Sequence, residues 1–184
     1  MQQIKGSVLK SRLAYVDEHF GKEGRERVLT ALADDDRRAL SSILTVKWYP
    51  LDLGTRLDDA IVRTLGDGKT EVFEQLGAAS ADKNLGSVHK AFLTTGDPHG
   101  FLSRTPAIYA MYYGQGRREY EKTVDKSAVL TTFDADVFST PDCLTVIGWH
   151  RRALELCGVE KVIVIEEECR ARGANVCKYR VSWA

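Results

Sequence analysis

Three cysteines and a glutamate have the side-chain types and the order needed to hold a metal ion: Cys143, Glu166, Cys169 and Cys177. Three thiolates and one carboxylate complete a closed tetrahedral zinc site. Such a zinc is structural, because no coordination position stays open for a substrate. Cys143 follows Thr140-Pro141, a good helix start with Thr140 as N-cap and Pro141 in the first turn. Its sulfur would then lie where unpaired N–H groups and the helix dipole favour a thiolate. Cys169 and Cys177 flank residues 170–175, with Gly173 in the turn, and a hairpin there brings two sulfurs together. Glu166 is the awkward member. It stands three residues before Cys169, and a regular strand sends two such side chains to opposite faces. A bulge or a strand end within Glu166-Glu167-Glu168 is therefore required; without one, Asp142, Glu167 or Glu168 would substitute. Two other readings stay open. Free cysteines are often small buried hydrophobes, and a disulfide between Cys169 and Cys177 can cross a hairpin. Cys157 shares the apolar face of its helix with Val146 and Ala153 and is assigned to the core.

The chain around these residues has ordinary globular proportions. Its 184 residues are 43% hydrophobic and 28% charged, the size of one domain with a sizeable core. Lys and Arg number 26 and so do Asp and Glu, for zero net charge. That balance argues against nucleic acid or an anionic membrane as direct partner. No apolar run approaches the ~20 residues that span a bilayer, and residues 1–20 lack a signal-peptide core. A reducing, cytoplasmic setting follows, where four cysteines are more suited to metal or core than to disulfides.

The elements that must position the four ligands can be read from periodicity. Val8, Leu9, Leu13, Val16 and Phe20 share a helical face that stops at Gly21, and 23–33 is a second amphipathic stretch. Asp34-Asp35-Asp36 caps a helix through Leu40, Ile43 and Leu44. Thr45–Tyr49 is a loop with a strand-like bond or two. Leu53, Leu57, Ile61, Val62 and Leu65 predict a helix ended by Gly66. Two more helices are expected over 69–80 and 85–95, then a turn at Gly96-Asp97-Pro98 and an apolar helical run over 100–114. After Gly114-Gln115-Gly116 the period changes. Two short strands turn at Asp125-Lys126, a helix runs from Pro141 to Cys157, and strands at Val162–Ile165 and Cys177–Trp183 end the chain. The fold class is α+β in a single domain, with 1–116 a mainly helical layer and 117–184 strands, one helix and a C-terminal hairpin.

The run Glu-Glu-Glu-Cys-Arg-Ala-Arg-Gly-Ala-Asn-Val-Cys-Lys-Tyr-Arg-Val (166–181) resembles the close of the 4-vinyl-reductase-type, or hydrocarbon-binding, domain. In that family a Glu-x-x-Cys, an Arg- and Gly-containing turn and a second Cys open the last strand. Its aromatic-sensing members hold zinc with a Cys before the last helix plus this Glu, Cys and Cys. Cys143, Glu166, Cys169 and Cys177 stand at matching intervals of 23, 3 and 8 residues. The start, Ile4-Lys5-Gly6-Ser7-Val8, and Trp48-Tyr49-Pro50-Leu51 resemble the related haem–nitric-oxide-binding domains and a myxobacterial paralogous family of unassigned role. The resemblance implies N-terminal helices packed on a small curved antiparallel sheet, a homodimer and a small apolar ligand. The phenol sensors' His and Trp are replaced by Thr94 and Lys122, so phenol is not the ligand implied. Those sensors continue into an output domain, whereas this chain ends at Ala184, which suggests an excised module or a stand-alone protein acting by association.

Other chemistry is poorly served. There is no P-loop, nucleophile elbow or dinucleotide fingerprint, so no catalytic residue is assigned and an enzyme is not expected. Haem is disfavoured, because Ser103-Arg104 lacks the preceding Tyr of a Tyr-x-Ser-x-Arg motif and His89, beside Lys90, suits a surface. Asp34-Asp35-Asp36, or Asp134 with Asp136, suit caps and loops better than a metal. Tyr109, Tyr112 and Trp149 are the candidate lining of a ligand cavity, with ordinary core the competing account. The expectation is a non-enzymatic ligand-sensing or regulatory domain with structural zinc; the alternative is a dimeric protein-interaction scaffold of the same fold without ligand.

Overall fold

In the computed structural model, residues 2–87, 89–135 and 139–184 are described. They form two compact units, Met1–Val72 with Met111–Gly114, and Phe73–Ala110 with Gln115–Ala184.

The first unit is built on one long helical stretch, α1 (Gly6–Thr30), interrupted at Gly21, whose φ of 64° breaks the helical path. The stop expected there is thus a kink between two helical arms. Leu9, Leu13 and Val16 on α1 are buried, as are Leu53, Leu57 and Ile61 on α3 (Leu51–Leu65), and the two helices pack together. This is what apolar residues at three- and four-residue spacing require. A buried ion pair ties the same helices: Arg12 Nε and Nη2 donate to the two carboxylate oxygens of Asp58 at 2.5 and 3.0 Å. β1 (Gln3–Lys5) pairs antiparallel with β2 (Trp48–Pro50), so the bond or two expected near Tyr49 is a short ladder. Between them α2 (Asp34–Ser41) stops earlier than its apolar pattern suggests. Ile43 is buried, but Leu44 lies beyond the helix, 58% exposed.

The second unit begins with α4 (Val72–Leu85), α5 (Pro98–Leu102) and α6 (Thr105–Tyr112, whose last two residues belong to the first unit). In place of the helix expected over 85–95, α4 runs to Leu85 and Lys90–Phe92 form a 3-10 turn. A four-stranded antiparallel sheet follows, in the order β3-β4-β6-β5: β3 (Arg117–Val124), β4 (Ser127–Phe133), β5 (Ile163–Glu168) and β6 (Cys177–Ser182). Asp125-Lys126 is the tip between β3 and β4, as anticipated. Leu130, Tyr179 and Glu166 lie abreast on one face, next to Ala128, Val181 and Val164.

Helix α7 (Thr140–Leu156) packs against β5 and starts one residue earlier than expected. Ser139, not Thr140, is the N-cap, accepting from the Asp142 N–H at 3.1 Å. Two glycines let α7 approach α4. A Cβ on Gly148 would meet the Glu74 carbonyl oxygen at 1.9 Å, and one on Gly77 the Thr145 carbonyl oxygen at 2.2 Å. Arg151 to Glu74 and Arg152 to Asp82, both at 2.8 Å, flank that crossing. Gly148→Ala should therefore cost about 1–3 kcal/mol by overpacking, despite alanine's better helix propensity. Urea unfolding checks this, and an unchanged midpoint would show that the helices can part freely.

Candidate metal centre

The four predicted ligands converge. One donor atom from each of Cys143, Glu166, Cys169 and Cys177 lies within 4.8 Å of all the others. Cys143 enters from the first turn of α7, where its N–H bonds the Ser139 carbonyl oxygen at 3.1 Å. Cys177 opens β6 opposite Thr132. Cys169 follows β5 and leads into a 3-10 turn, Arg170–Arg172, closed by Gly173 in the left-handed region at φ 91°. That turn folds the chain back, with Arg172 and Ala174 N–H both donating to the Cys169 carbonyl oxygen.

Glu166 and Cys169 reach one face through the bulge that their spacing demanded. Glu166 is opposite Tyr179, but Glu168 is opposite Lys178, so β5 spends one extra residue against β6. The extra residue reverses the side-chain parity. Glu166 stays on the face of Tyr179, and Cys169 returns to it. Glu167 bonds Arg180 at 2.5 Å and Glu168 lies 4.0 Å from Lys178. Neither joins the cluster, and nor does Asp142.

The sulfurs are spaced for a metal rather than for each other. Cys143 Sγ lies 3.7 Å from Cys169 Sγ and 3.9 Å from Cys177 Sγ. Ligands at a zinc–sulfur distance of about 2.3 Å sit about 3.8 Å apart on a tetrahedron, whereas a disulfide needs about 2.05 Å. All four cysteines are free, so no bond joins Cys169 to Cys177. The Arg170 N–H donates to Cys177 Sγ at 3.4 Å. Cys177 is pulled below the ordinary thiol range, first by its hydrogen bond with Cys143 and then, against burial, by that N–H. Cys143 is pushed up by the same bond and by burial. The two thiols titrate as one coupled pair. Burial raises Cys169, with the contact to Glu166 adding to it.

Glu166 divides its oxygens. Oε2 pairs with Arg172 Nη1 at 3.0 Å, while Oε1 is buried and accepts no hydrogen bond. A buried carboxylate oxygen without a partner is costly, and a cation between it and the sulfurs would satisfy it. The donor set and its spacing thus fit zinc. Cys157, the C-cap of α7, is fully buried.

The remaining candidates are placed as follows. Tyr109 is buried in the second unit, its hydroxyl donating to the Gln115 carbonyl oxygen at 3.0 Å and its ring facing the Arg118 guanidinium. Burial raises its hydroxyl to about 12, and does the same for Tyr112. Trp149 stacks on Phe101 at 5.9 Å, in the same unit as Tyr109, whereas half-buried Tyr112 belongs to the first unit. Asp34, Asp35 and Asp36 pair with Arg37, Arg38 and Arg56 on the surface. Asp134 pairs with Arg117, and Asp136 lies outside the described residues. His89 is buried at 8% exposure beside Phe92, correcting its assignment to the surface.

A buried histidine absent from the sequence reading lies on α7. His150 is 2% exposed, its Nδ1 is 2.8 Å from the Val146 carbonyl oxygen, and burial, helped by the Arg118 charge, lowers it to about 3. It stays neutral while the unfolded chain takes up a proton below about pH 6.5. Its contribution to stability is therefore complete above that pH and is lost as pH falls from there toward 3, at about 1.4 kcal/mol per pH unit. Urea unfolding at pH 7 and pH 5 should show this slope for the wild type and a shallower one for His150→Leu. Equal slopes would show that another group sets the acid limit.

Two crystal structures share this fold over nearly the whole chain. An Fe(II) unliganded H-NOX protein from K. algicida has a TM-score of 0.72 at 12% identity, covering 98% of this chain and 97% of its own. An H-NOX protein from S. oneidensis in the Fe(II)NO ligation state gives 0.72 at 13%, covering 98% and 99%. The chain therefore has the H-NOX fold, with N-terminal helices and small antiparallel sheets; identity this low speaks to fold alone. Residues 3–184 match the family model described as Protein of unknown function (DUF2378), and the chain belongs to that family. No curated protein matches it. Among the described residues, no helix is long and apolar enough to cross a membrane.

Proposed function

We propose that this chain is a non-enzymatic ligand-sensing or regulatory domain, stapled by one structural zinc ion on Cys143, Glu166, Cys169 and Cys177. The observation that carries the zinc is the sulfur spacing of 3.7 and 3.9 Å beside an unpartnered carboxylate oxygen. The kinship suggested by residues 166–181 to hydrocarbon-binding domains rests on the same four positions. Four protein ligands fill a tetrahedron, which favours a structural over a catalytic ion. Four unlinked cysteines suit a reducing, cytoplasmic compartment. The span of the family match, residues 3–184, supports a single domain.

The sensing half of the proposal draws on the fold, since the S. oneidensis relative is an NO-ligated Fe(II) protein. The ligand class we assign to this chain is a small apolar molecule, near Tyr109 and Trp149 of the second unit. Of the chain's four histidines, His19, His99 and His150 already hydrogen-bond protein groups. Both ring nitrogens of His99 are engaged, by the Tyr120 hydroxyl at 2.7 Å and the Asp125 carbonyl oxygen at 2.8 Å. His150 bonds its own helix through Nδ1, and its Nε2 is buried without a hydrogen-bond partner. His19 stacks on Tyr15 and shares Nδ1 with that residue's carbonyl oxygen. Ser103 and Arg104 hydrogen-bond the Gly100 and Phe92 carbonyl oxygens.

One observation favours the second reading, a dimeric interaction scaffold without ligand. Ile163 and Ile165 on edge strand β5 are each 54% exposed, and apolar edges of this kind are pairing surfaces. Native mass spectrometry of protein purified without added metal separates the two. A homodimer with one zinc per chain and a co-purifying small molecule supports sensing. A zinc-loaded dimer carrying nothing else supports the scaffold, and a zinc-free protein defeats both as stated.

A further inference from the structure

The carboxylate of Glu166 is held asymmetrically, and the residue that holds it comes from the turn between the two C-terminal cysteines. Arg172 Nη1 is 3.0 Å from Oε2; the Glu166 side chain is only 7% exposed, while that of Arg172 is 58% exposed. Oε1, the other oxygen, has no hydrogen-bond partner. The turn that places Arg172 is short and backbone-locked: its own N–H bonds the Cys169 carbonyl oxygen at 3.0 Å, and Gly173 follows at φ 91°. One hairpin thus carries a sulfur ligand at each end and, between them, a guanidinium aimed at the oxygen ligand.

We propose that Arg172 is a positioning residue for the metal centre: by holding Oε2 it keeps Glu166 a one-oxygen ligand through Oε1, and so sets the residence time of the ion. The proposal rests on the zinc reading above. Two arguments support it. Without Arg172 the carboxylate is free to turn, so that both oxygens compete for the ion or water takes one of them. Three thiolates and a carboxylate also outnumber the two charges of zinc, and Arg172 offsets part of the excess beside the ligand that bears it. Arg172 is largely in water but the Glu166 side chain is buried, so loss of Arg172 should also cost some metal-free stability. Partners that orient a metal ligand typically change metal affinity 10- to 100-fold.

The test uses the full chain, loaded with zinc for competition against a chromophoric chelator and with cobalt(II) for its ligand-field spectrum. Arg172→Ala should release zinc about 10- to 100-fold faster and shift the cobalt bands, a spectral change that a loss of metal-free stability alone would not produce. Arg172→Lys should restore part of the residence time, since it returns the charge but not the planar fork. Arg180→Ala, which removes one of the two cations beside Glu167 outside the cluster, should match wild type. Wild-type release and spectrum in Arg172→Ala would overturn the positioning role while leaving the zinc centre standing. Failure of the wild-type chain to bind zinc or cobalt at all would overturn both.

Discussion

Cys177→Ser should abolish stoichiometric zinc and lower the melting temperature by about 6–20 °C. Cys177 is 5% exposed, its sulfur is 3.9 Å from that of Cys143, and it accepts the Arg170 N–H. Serine keeps the volume and the hydrogen bond but supplies a hydroxyl where the ion requires a thiolate. Structural zinc contributes about 10–16 kcal/mol of apparent binding energy in zinc-finger peptides. Here the sheet and α7 have a core of their own, so only part of that should appear as lost stability. A loss of about 3–5 kcal/mol gives the stated shift, at roughly 2–4 °C per kcal/mol for a chain of this size. Cys157→Ser is the control. That thiol is equally buried but lies outside the cluster, so its loss should cost stability and leave the metal in place. Elemental analysis with a thermal melt reads both effects. An unaltered melting temperature for Cys177→Ser would argue for cysteines that are merely core.

Asp58→Ala should destabilise the protein by about 3–5 kcal/mol while sparing the metal centre, because it leaves a buried guanidinium without its anion. Arg12 and Asp58 side chains are 2% and 3% exposed, and the fork-to-carboxylate geometry satisfies both oxygens. The pair lies in the first unit and the zinc ligands lie in the second. Urea unfolding should show the loss, and zinc content in the folded protein should stay at wild-type level. The double replacement Arg12→Met with Asp58→Leu should recover most of it, as buried ion pairs often yield to well-packed apolar groups. A cost below about 1 kcal/mol for Asp58→Ala would mean that water reaches the site and that the pair behaves as a surface contact.

The metal cluster was legible because its determinants are local. A proline-started helix, a glycine turn and two cysteines eight residues apart bring sulfurs together by backbone rules alone. The bulge was legible only as a conflict: the three-residue step from Glu166 to Cys169 breaks strand parity, but where the extra residue falls depends on pairing with Tyr179 and Lys178. Arg172 could not be singled out from its neighbours, since its partner is chosen by that same bulge. Capping by Ser139, one position early, reflects two adjacent hydroxyl residues that the sequence cannot rank. The burial of His89, the exposure of Leu44 and the 3-10 turn at Lys90–Phe92 are set by contacts distant in the chain. The ligand lining was least accessible. Tyr109 and Tyr112 are three residues apart on one helix, yet belong to different units.

Zinc-edge X-ray absorption on the chain purified without added metal tests the central claim most directly. The expected result is one zinc per chain with three sulfur neighbours at about 2.3 Å and one oxygen at about 2.0 Å. A metal content far below one equivalent, or a shell of nitrogen and oxygen without sulfur, would contradict it.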